Sequence, residues 1–85
     1  GSTIGENSVT LGTDNIASGS SSIAIGLETS ATGLGSYAEG SGSIASGDMS
    51  HASGQDSTAT GFASYAEGSS EANGDYSHAE GNSMQ

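Results

Sequence analysis

The sequence contains no lysine, arginine, cysteine, proline or tryptophan, and each absence narrows what the chain can be. The ten acidic residues are not balanced by any lysine or arginine, so the formal net charge is −10. Binding to nucleic acid requires basic side chains that neutralise phosphates, and adhesion to an anionic membrane requires a basic patch. Both kinds of function are therefore excluded. An acidic surface instead suits a protein that stays in solution outside the cell or meets cationic partners.

Large apolar side chains and disulfides are the usual sources of stability in a small domain, and the chain has few or none of them. Hydrophobic residues make up 31 % of the 85 residues, with a single phenylalanine. Without cysteine there is neither a disulfide framework nor a thiolate metal site. We therefore expect stability to come from association into an oligomer. The sequence shows no signal peptide or membrane-spanning run, and its opening Gly1-Ser2 resembles a cloning remnant, which indicates an excised fragment.

A seven-residue repeat runs through almost the whole chain. Glycine recurs every seventh residue from Gly5 to Gly68, one residue is then missing at Ser69–Ser70, and Gly74 and Gly81 follow seven apart. Two positions before the glycine stands alanine in ten copies, and four positions before it stands serine, asparagine or threonine. The unit is S-x-A-x-G-x-x, in eleven copies. Such regular self-similarity predicts a repeat architecture rather than a disordered linker.

Other seven-residue or glycine-rich architectures do not fit the repeat. A coiled coil needs large apolar residues at two heptad positions, and glycine in a helix costs about 1 kcal/mol per copy. Collagen needs glycine at every third residue and is rich in proline. The calcium-binding nonapeptide roll has a different period and a G-G-x-G-x-D motif that is missing here.

The repeat fits β-strands. In S-x-A-x-G the residues at −4, −2 and 0, counted from the glycine, point to one side, and those at −3 and −1 point to the other. Because the first side carries only small side chains, we predict that it lines the interior of a flattened parallel β-roll with two strands and 14 residues per coil. The glycine is expected to take a positive φ at the corner. The interior alanines are Ala17, Ala24, Ala31, Ala38, Ala45, Ala52, Ala59, Ala66, Ala72 and Ala79.

The outward positions −3 and −1 differ between alternate copies. One set carries larger side chains that change along the chain from aliphatic to aromatic and titratable, and the other set is mostly small and polar. A roll filled with alanine buries little apolar surface, so we predict that the first set packs against copies of itself in a closed oligomer with cyclic symmetry. Its members are Val9, Leu11, Ile23, Ile25, Tyr37, Glu39, His51, Tyr65, Glu67, His78 and Glu80.

These residues resemble a known family. The units at 8–12 (SVTLG), 22–26 (SIAIG), 36–40 (SYAEG) and 77–81 (SHAEG) are similar to the head repeats of trimeric autotransporter adhesins of the YadA type. The resemblance implies a parallel homotrimer of left-handed β-rolls in which the face defined above surrounds the threefold axis. It places the roll at residues 4–83, with a leading remnant at residues 1–3 and an exit stub at residues 84–85.

The resemblance also implies a function. A segment of this kind is a structural and adhesive part of a bacterial surface fibre, which attaches to host matrix, cells or other bacteria and contributes to virulence. It lies outside the cell and is anchored in the outer membrane through other regions. Similar Tyr-Ala-Glu-Gly and His-Ala-Glu-Gly repeats occur in phage and Gram-positive surface fibres, whose receptor-binding or spacer role is the alternative. We expect no cofactor, no nucleic-acid partner and no membrane insertion by this segment.

Two histidines and three glutamates are the candidates for chemistry. On a threefold axis, His51 or His78 would form a ring of three imidazoles, a geometry that metals can use. Rings of Glu39, Glu67 or Glu80 would repel one another unless donors or a cation neutralised them. We interpret these groups as a hydrogen-bonded Tyr/Ser/His–Glu interface that aligns the chains. No metal site and no catalytic residue is predicted.

The residues that follow the glycines are predicted to occupy turns. The acidic ones are interpreted as solvated turn residues, and the apolar ones either pack between rolls or contact a ligand. The two groups are Asp14, Glu28, Asp48, Asp56 and Asp75, and Leu27, Leu34, Met49 and Phe62.

Two other classes of function, an ice-binding solenoid and an enzyme, fit the sequence less well. An ice-binding solenoid needs a flat ladder of threonines, and here only Thr58 and Thr60 form a T-x-T pair. An enzyme needs a convergent polar cluster in a pocket, which a rod of this kind does not provide. The sequence therefore predicts a fibre module rather than either of these.

Overall fold

The structure, a computed structural model, describes residues 3–82, which form twelve short strands joined by tight corners. In chain order the strands are β1 (Thr3–Ile4), β2 (Val9–Thr13), β3 (Ile16–Ala17), β4 (Ile23–Leu27), β5 (Ser30–Ala31), β6 (Tyr37–Ser41), β7 (Ile44–Ala45), β8 (His51–Ser53), β9 (Thr58–Ala59), β10 (Tyr65–Ser69), β11 (Glu71–Ala72) and β12 (His78–Asn82). The predicted remnant and exit stub lie outside the described residues, apart from Thr3 in β1. Within residues 3–82 no helix is long and apolar enough to cross a membrane.

The strands form two parallel six-stranded sheets, which confirms the prediction of an all-β parallel solenoid. The short-strand sheet contains β1, β3, β5, β7, β9 and β11, each of two residues. The long-strand sheet contains β2, β4, β6, β8, β10 and β12, of three to five residues. Neighbours in each sheet are two strands apart along the chain, so one coil consists of one strand from each sheet. The strands of the two sheets differ in length, because only the long strands continue past the alanine.

Pairing between neighbouring strands repeats every 14 residues, as predicted. Val9 pairs with Ile23, and Ile23 pairs with Tyr37. The offset is 13 residues in the pairs that span the deletion, such as Tyr65 with His78, and also between β1 and β3. The missing residue interrupts the sequence repeat, but the ladder continues through it in register.

The corners use a left-handed backbone conformation two residues after the glycine. Residues other than glycine adopt it at most of these positions, including Met49 (φ 62°), Ala63 (φ 55°) and Tyr76 (φ 60°). The amide of such a residue donates to a carbonyl of the preceding coil, as from Met49 to Leu34 at 2.7 Å. The corners are therefore hydrogen-bonded from coil to coil, like the sheets.

One corner is a residue shorter than the others. After Gly68 the position that would be left-handed is the one that is missing, so the chain passes from Ser69 directly to Ser70. Ser70 is buried and its hydroxyl donates to the carbonyls of Glu67 and Ala79 at 2.7 and 3.0 Å. The deletion is thus absorbed in a corner and leaves both sheets intact.

The interior of the solenoid is a stack of small side chains. The alanines from Ala17 to Ala79 at position −2 are at most 2 % exposed. Most of the polar residues at −4 are buried beside them, and the serine hydroxyls donate to backbone carbonyls, as from Ser36 to Gly33 at 2.7 Å. These bonds matter because a buried polar group without a partner costs about 1–3 kcal/mol. The Cα atoms span only 10 Å along the shortest axis, so the two sheets lie very close together.

Lack of space requires glycine in both sheets, since a Cβ at Gly40 would also overlap the carbonyl oxygen of Gly54, and backbone conformation is a second reason in the long-strand sheet. In the long-strand sheet the glycine has a positive φ, as at Gly40 (φ 105°). In the short-strand sheet Gly33 does not, and there the reason is space alone, since a Cβ would lie 2.1 Å from the carbonyl oxygen of Gly47. The expectation of a positive φ at every repeat glycine was therefore wrong for half of the corners.

Candidate functional site

The outer face of the long-strand sheet carries all eleven residues predicted for the interface between chains. They form two columns, because the −3 and −1 positions of successive strands lie directly above one another in a parallel ladder. At the N-terminal end the columns are aliphatic, with Val9 and Leu11 45 % and 58 % exposed and with Ile23 and Ile25 partly buried. Contact between chains on this face stays a prediction.

Further along, the −3 column becomes a stack of four rings. Ring centroids are 4.6 Å apart for Tyr37 and His51, 4.4 Å for His51 and Tyr65, and 5.0 Å for Tyr65 and His78. The spacing follows from the ladder, since neighbouring strands lie about 4.8 Å apart. His51 and His78 are two coils apart, with Tyr65 between them, so they cannot share a ligand.

The −1 column places carboxylates beside the rings. The Tyr37 hydroxyl donates to Glu39 Oε2 at 3.2 Å, and His51 Nε2 lies 3.6 Å from Glu39 Oε1. That Nε2 atom is buried and has no hydrogen-bond partner among the described residues. Glu39 therefore sits between a phenol and an imidazole, the kind of Tyr/His–Glu contact that the sequence predicted, here within one chain.

The tyrosine pKa values are perturbed by these neighbours. The pKa of Tyr37 is raised from 10.0, first by burial and then by the charge and hydrogen bond of Glu39. The pKa of Tyr65 is also raised, mainly because its hydroxyl is hydrogen-bonded to Glu67. In both cases the carboxylate favours the protonated phenol, so both tyrosines act as donors at neutral pH.

At the C-terminal end of the same face a third arrangement appears. Glu67 lies opposite Glu80 in the ladder between β10 and β12, and His78 is on the same strand as Glu80. Ligand atoms of the three side chains all lie within 4.8 Å of one another. His78 Nε2 is 3.8 Å from Glu80 Oε2, and these side chains are 56 % and 61 % exposed.

The outer face of the short-strand sheet is more polar. Ile16 and Ile44 are its exposed large apolar residues among those described. The hydroxyl of Thr60 is 2.8 Å from Asn73 Oδ1, and Thr58 stands beside it on the same face. Successive strands of this sheet, as far as the structure describes them, place isoleucine, serine, isoleucine, threonine and glutamate one above the other rather than a column of threonines.

One corner edge of the solenoid is apolar. The apolar edge consists of Leu34, Met49, Phe62 and Tyr76, which follow one another in successive coils and are all exposed. Phe62 and Tyr76 make an edge-to-face contact with centroids 5.5 Å apart. Sequence reasoning missed Tyr76, although its place two residues after Gly74 was a usable signal.

Two of the predicted turn acids have a structural role at this edge. The carboxylate of Asp48 accepts a hydrogen bond from the Leu34 amide at 3.0 Å, and that of Asp75 accepts one from the Phe62 amide at 3.0 Å. Each acid thus holds the corner of the preceding coil. They are more than solvated turn residues, because each accepts a hydrogen bond from a backbone amide of the neighbouring corner.

Comparison with protein-family models matches the one described as YadA head domain repeat (2 copies) to residues 4–29, 17–38, 38–64 and 52–70. The chain belongs to the YadA head repeat family. The resemblance seen in the sequence is therefore confirmed, and the YadA head repeats extend over strands β2 to β10. Comparisons with curated proteins and with solved structures found no match. His78 and Glu80 lie beyond the residues that the family model covers.

Proposed function

We propose that this chain is a structural and adhesive segment of a bacterial surface fibre, in which three left-handed β-rolls pack in parallel around a threefold axis. The fibre lies at the cell surface and is anchored in the outer membrane by other regions, and the segment has no enzymatic role. Membership of the YadA head repeat family supports this proposal. The observation that carries it is the difference between the two outer faces of the solenoid.

The aliphatic end of the long-strand face supports self-association. A compact apolar patch is formed there by Val9, Leu11, Ile23 and Ile25. The described interior, by contrast, contains only alanine, serine, threonine and asparagine side chains. Complete burial of one valine, leucine or isoleucine side chain contributes about 1.5–3 kcal/mol. In a cyclic trimer this patch meets itself three times, which provides the apolar contact that the alanine interior cannot.

The change from aliphatic to polar and titratable side chains along the same face favours parallel chains in register. An antiparallel or shifted arrangement would place the carboxylate of Glu67 or Glu80 against the aliphatic patch. Desolvating a carboxylate without a partner costs several kcal/mol. Only the parallel arrangement keeps aliphatic residues next to aliphatic ones and carboxylates next to phenols and imidazoles.

The molar mass in solution tests the trimer, by light scattering during size-exclusion chromatography. We expect about three times the 8.1 kDa of the chain. Ile25→Glu, on the long-strand face, should give monomers. Ile44→Glu, on the short-strand face and also outward-pointing, is the matched control and should leave the trimer intact. A monomeric parent, or dissociation by Ile44→Glu alone, would contradict the proposed interface.

Adhesion is proposed to come from the surfaces that the trimer leaves outside, repeated three times. Weak contacts at three equivalent positions gain avidity without any new contact. Attachment of bead-bound parent protein to immobilised extracellular matrix and to cultured cells tests this. We expect attachment that the Ile25→Glu variant loses. If neither surface retains the parent, the segment is a spacer rather than an adhesive element.

A further inference from the structure

The C-terminal end of the long-strand face brings two carboxylates together with no lysine or arginine beside them. Glu67 and Glu80 pair directly across the ladder between β10 and β12. Like charges at this spacing destabilise a sheet. The chain has no lysine or arginine that could offset their repulsion. Among residues 3–82, the imidazole of His78 is the nitrogen base beside them, so an external cation would find two negative charges and one nitrogen ligand together.

The positions of the three side chains suit a metal ion. Their ligand atoms lie within 4.8 Å of one another, and His78 Nε2 is 3.8 Å from Glu80 Oε2. Zinc is bound by imidazole nitrogen and carboxylate oxygen at about 2.0–2.2 Å, so tetrahedral ligand atoms lie about 3.4 Å apart. Small rotations of these exposed side chains bring them to that spacing without moving the strands.

Tyr65 supports the arrangement from the neighbouring position. Its ring lies against that of His78, with centroids 5.0 Å apart, and Glu67 is two residues further along the same strand. The ring contact restricts the rotamers of the imidazole that would bind the ion.

The same chain contains a matched arrangement that lacks one ligand. Tyr37, Glu39 and His51 repeat the positions of Tyr65, Glu67 and His78 two coils earlier. The residue that corresponds to Glu80 is Ser53. This copy offers one carboxylate and one imidazole, which is too few ligands for a stable site.

We propose that Glu67, His78 and Glu80 bind a divalent transition-metal cation, for which Zn²⁺ is the best match. A set of three ligands with an imidazole and open positions for water is typical of zinc and of its neighbours in the first transition series. Calcium takes six to eight oxygen ligands, which this face does not offer. The site is complete within one chain, so it does not depend on the proposed trimer.

Isothermal titration of the full chain with ZnCl₂ and, separately, with CaCl₂ tests the site. We expect one Zn²⁺ per chain and much weaker binding of Ca²⁺. Glu80→Ser, which reproduces the arrangement around Ser53, should weaken zinc binding by at least about tenfold. Absence of zinc binding, equal binding of both ions, or an unchanged affinity in Glu80→Ser would overturn the proposal.

A gain-of-site variant keeps the test decisive even if Glu80→Ser loses its β-sheet circular dichroism. Ser53→Glu supplies the missing carboxylate beside Glu39 and His51 and should raise the stoichiometry to two Zn²⁺ per chain. A stoichiometry that stays at one would contradict the geometric argument. One ion per three chains in the parent would mean a ligand ring on a threefold axis and would equally overturn a site within one chain.

Discussion

Replacing Gly33 with alanine tests the claim that the solenoid depends on close contact between backbones of neighbouring coils. A Cβ at this position would lie 2.1 Å from the carbonyl oxygen of Gly47 and 2.5 Å from its carbonyl carbon. Ordinary contact begins at 3.4 Å, so the two coils would have to separate locally by about 1.3 Å. Neither neighbour is the end of a flexible side chain that could move aside.

The expected loss of stability follows from three terms. Overpacking of this kind costs about 1–3 kcal/mol, and each backbone hydrogen bond lost nearby costs about 0.5–1.5 kcal/mol. The bond from the Gly33 amide to the Ala45 carbonyl, at 3.3 Å, is the first to be affected. Alanine recovers about 0.4–1 kcal/mol by restricting the unfolded chain. We therefore expect Gly33→Ala to lower the free energy of unfolding by about 2–3 kcal/mol.

The matched control is Gly35→Ala, two residues away. Gly35 is left-handed (φ 64°), but a Cβ there meets only the Met49 sulfur, at 3.8 Å. Left-handed alanine costs about 1–2 kcal/mol, of which the restricted unfolded chain offsets only about 0.4–1 kcal/mol, so we expect a loss of about 1 kcal/mol, smaller than that of Gly33→Ala. Urea unfolding followed by circular dichroism at one fixed chain concentration measures both. Similar losses for the two variants would refute the packing argument.

Three further predictions concern the interior, the corners and the tyrosines. Ala52→Leu should overpack the interior and lower the free energy of unfolding by about 1–3 kcal/mol or more in thermal melts, whereas a variant that melts like the parent would place Ala52 outside. Met49→Gly should raise the free energy of unfolding in urea by about 0.5–1 kcal/mol, because it removes an exposed methionine from the left-handed conformation. A lower free energy of unfolding would contradict that corner geometry. The stabilising contribution of Tyr65, whose pKa is raised, should be complete below pH 10 and be lost as pH rises through the raised value. A spectroscopic titration of the parent, compared with that of Tyr65→Phe, measures the ionisation of Tyr65. The variant Glu67→Gln should lower the midpoint of this ionisation. An unchanged midpoint would exclude Glu67 as the cause of the raised pKa.

Much of this fold could be predicted because inward and outward positions alternate with residue size. Ala45 and Ala52 stand in the same place of a repeat whose −2 position never carries a larger side chain than threonine, so their placement inside required no knowledge of the corners. The unequal outer faces were visible for the same reason. The columns of Tyr37 with His51, and of Glu67 with Glu80, follow once strands stack in register.

The corners could not be predicted, because their backbone conformation is not reflected in residue type. Met49, Ala63 and Tyr76 are left-handed although none of them favours that region, whereas Gly33 is not left-handed although glycine allows it. Hydrogen bonds from the preceding coil hold these residues in place, and such bonds exist only after the coils have stacked. The grouping of Glu67, His78 and Glu80 was missed because it depends on the side-chain rotamers that bring their ligand atoms within 4.8 Å of one another.

The uniform interior separates what lies inside the solenoid from what it presents outside. Because Ala31 and Ala38 have equivalent surroundings on opposite strands, insertion of seven residues would keep every alanine inside and exchange the two outer faces of all later coils. Insertion of 14 residues would keep the faces and lengthen the rod by one strand spacing, about 4.8 Å. Length and surface can therefore change independently in such a chain: whole coils set its reach, and half coils change which chemistry faces a neighbour.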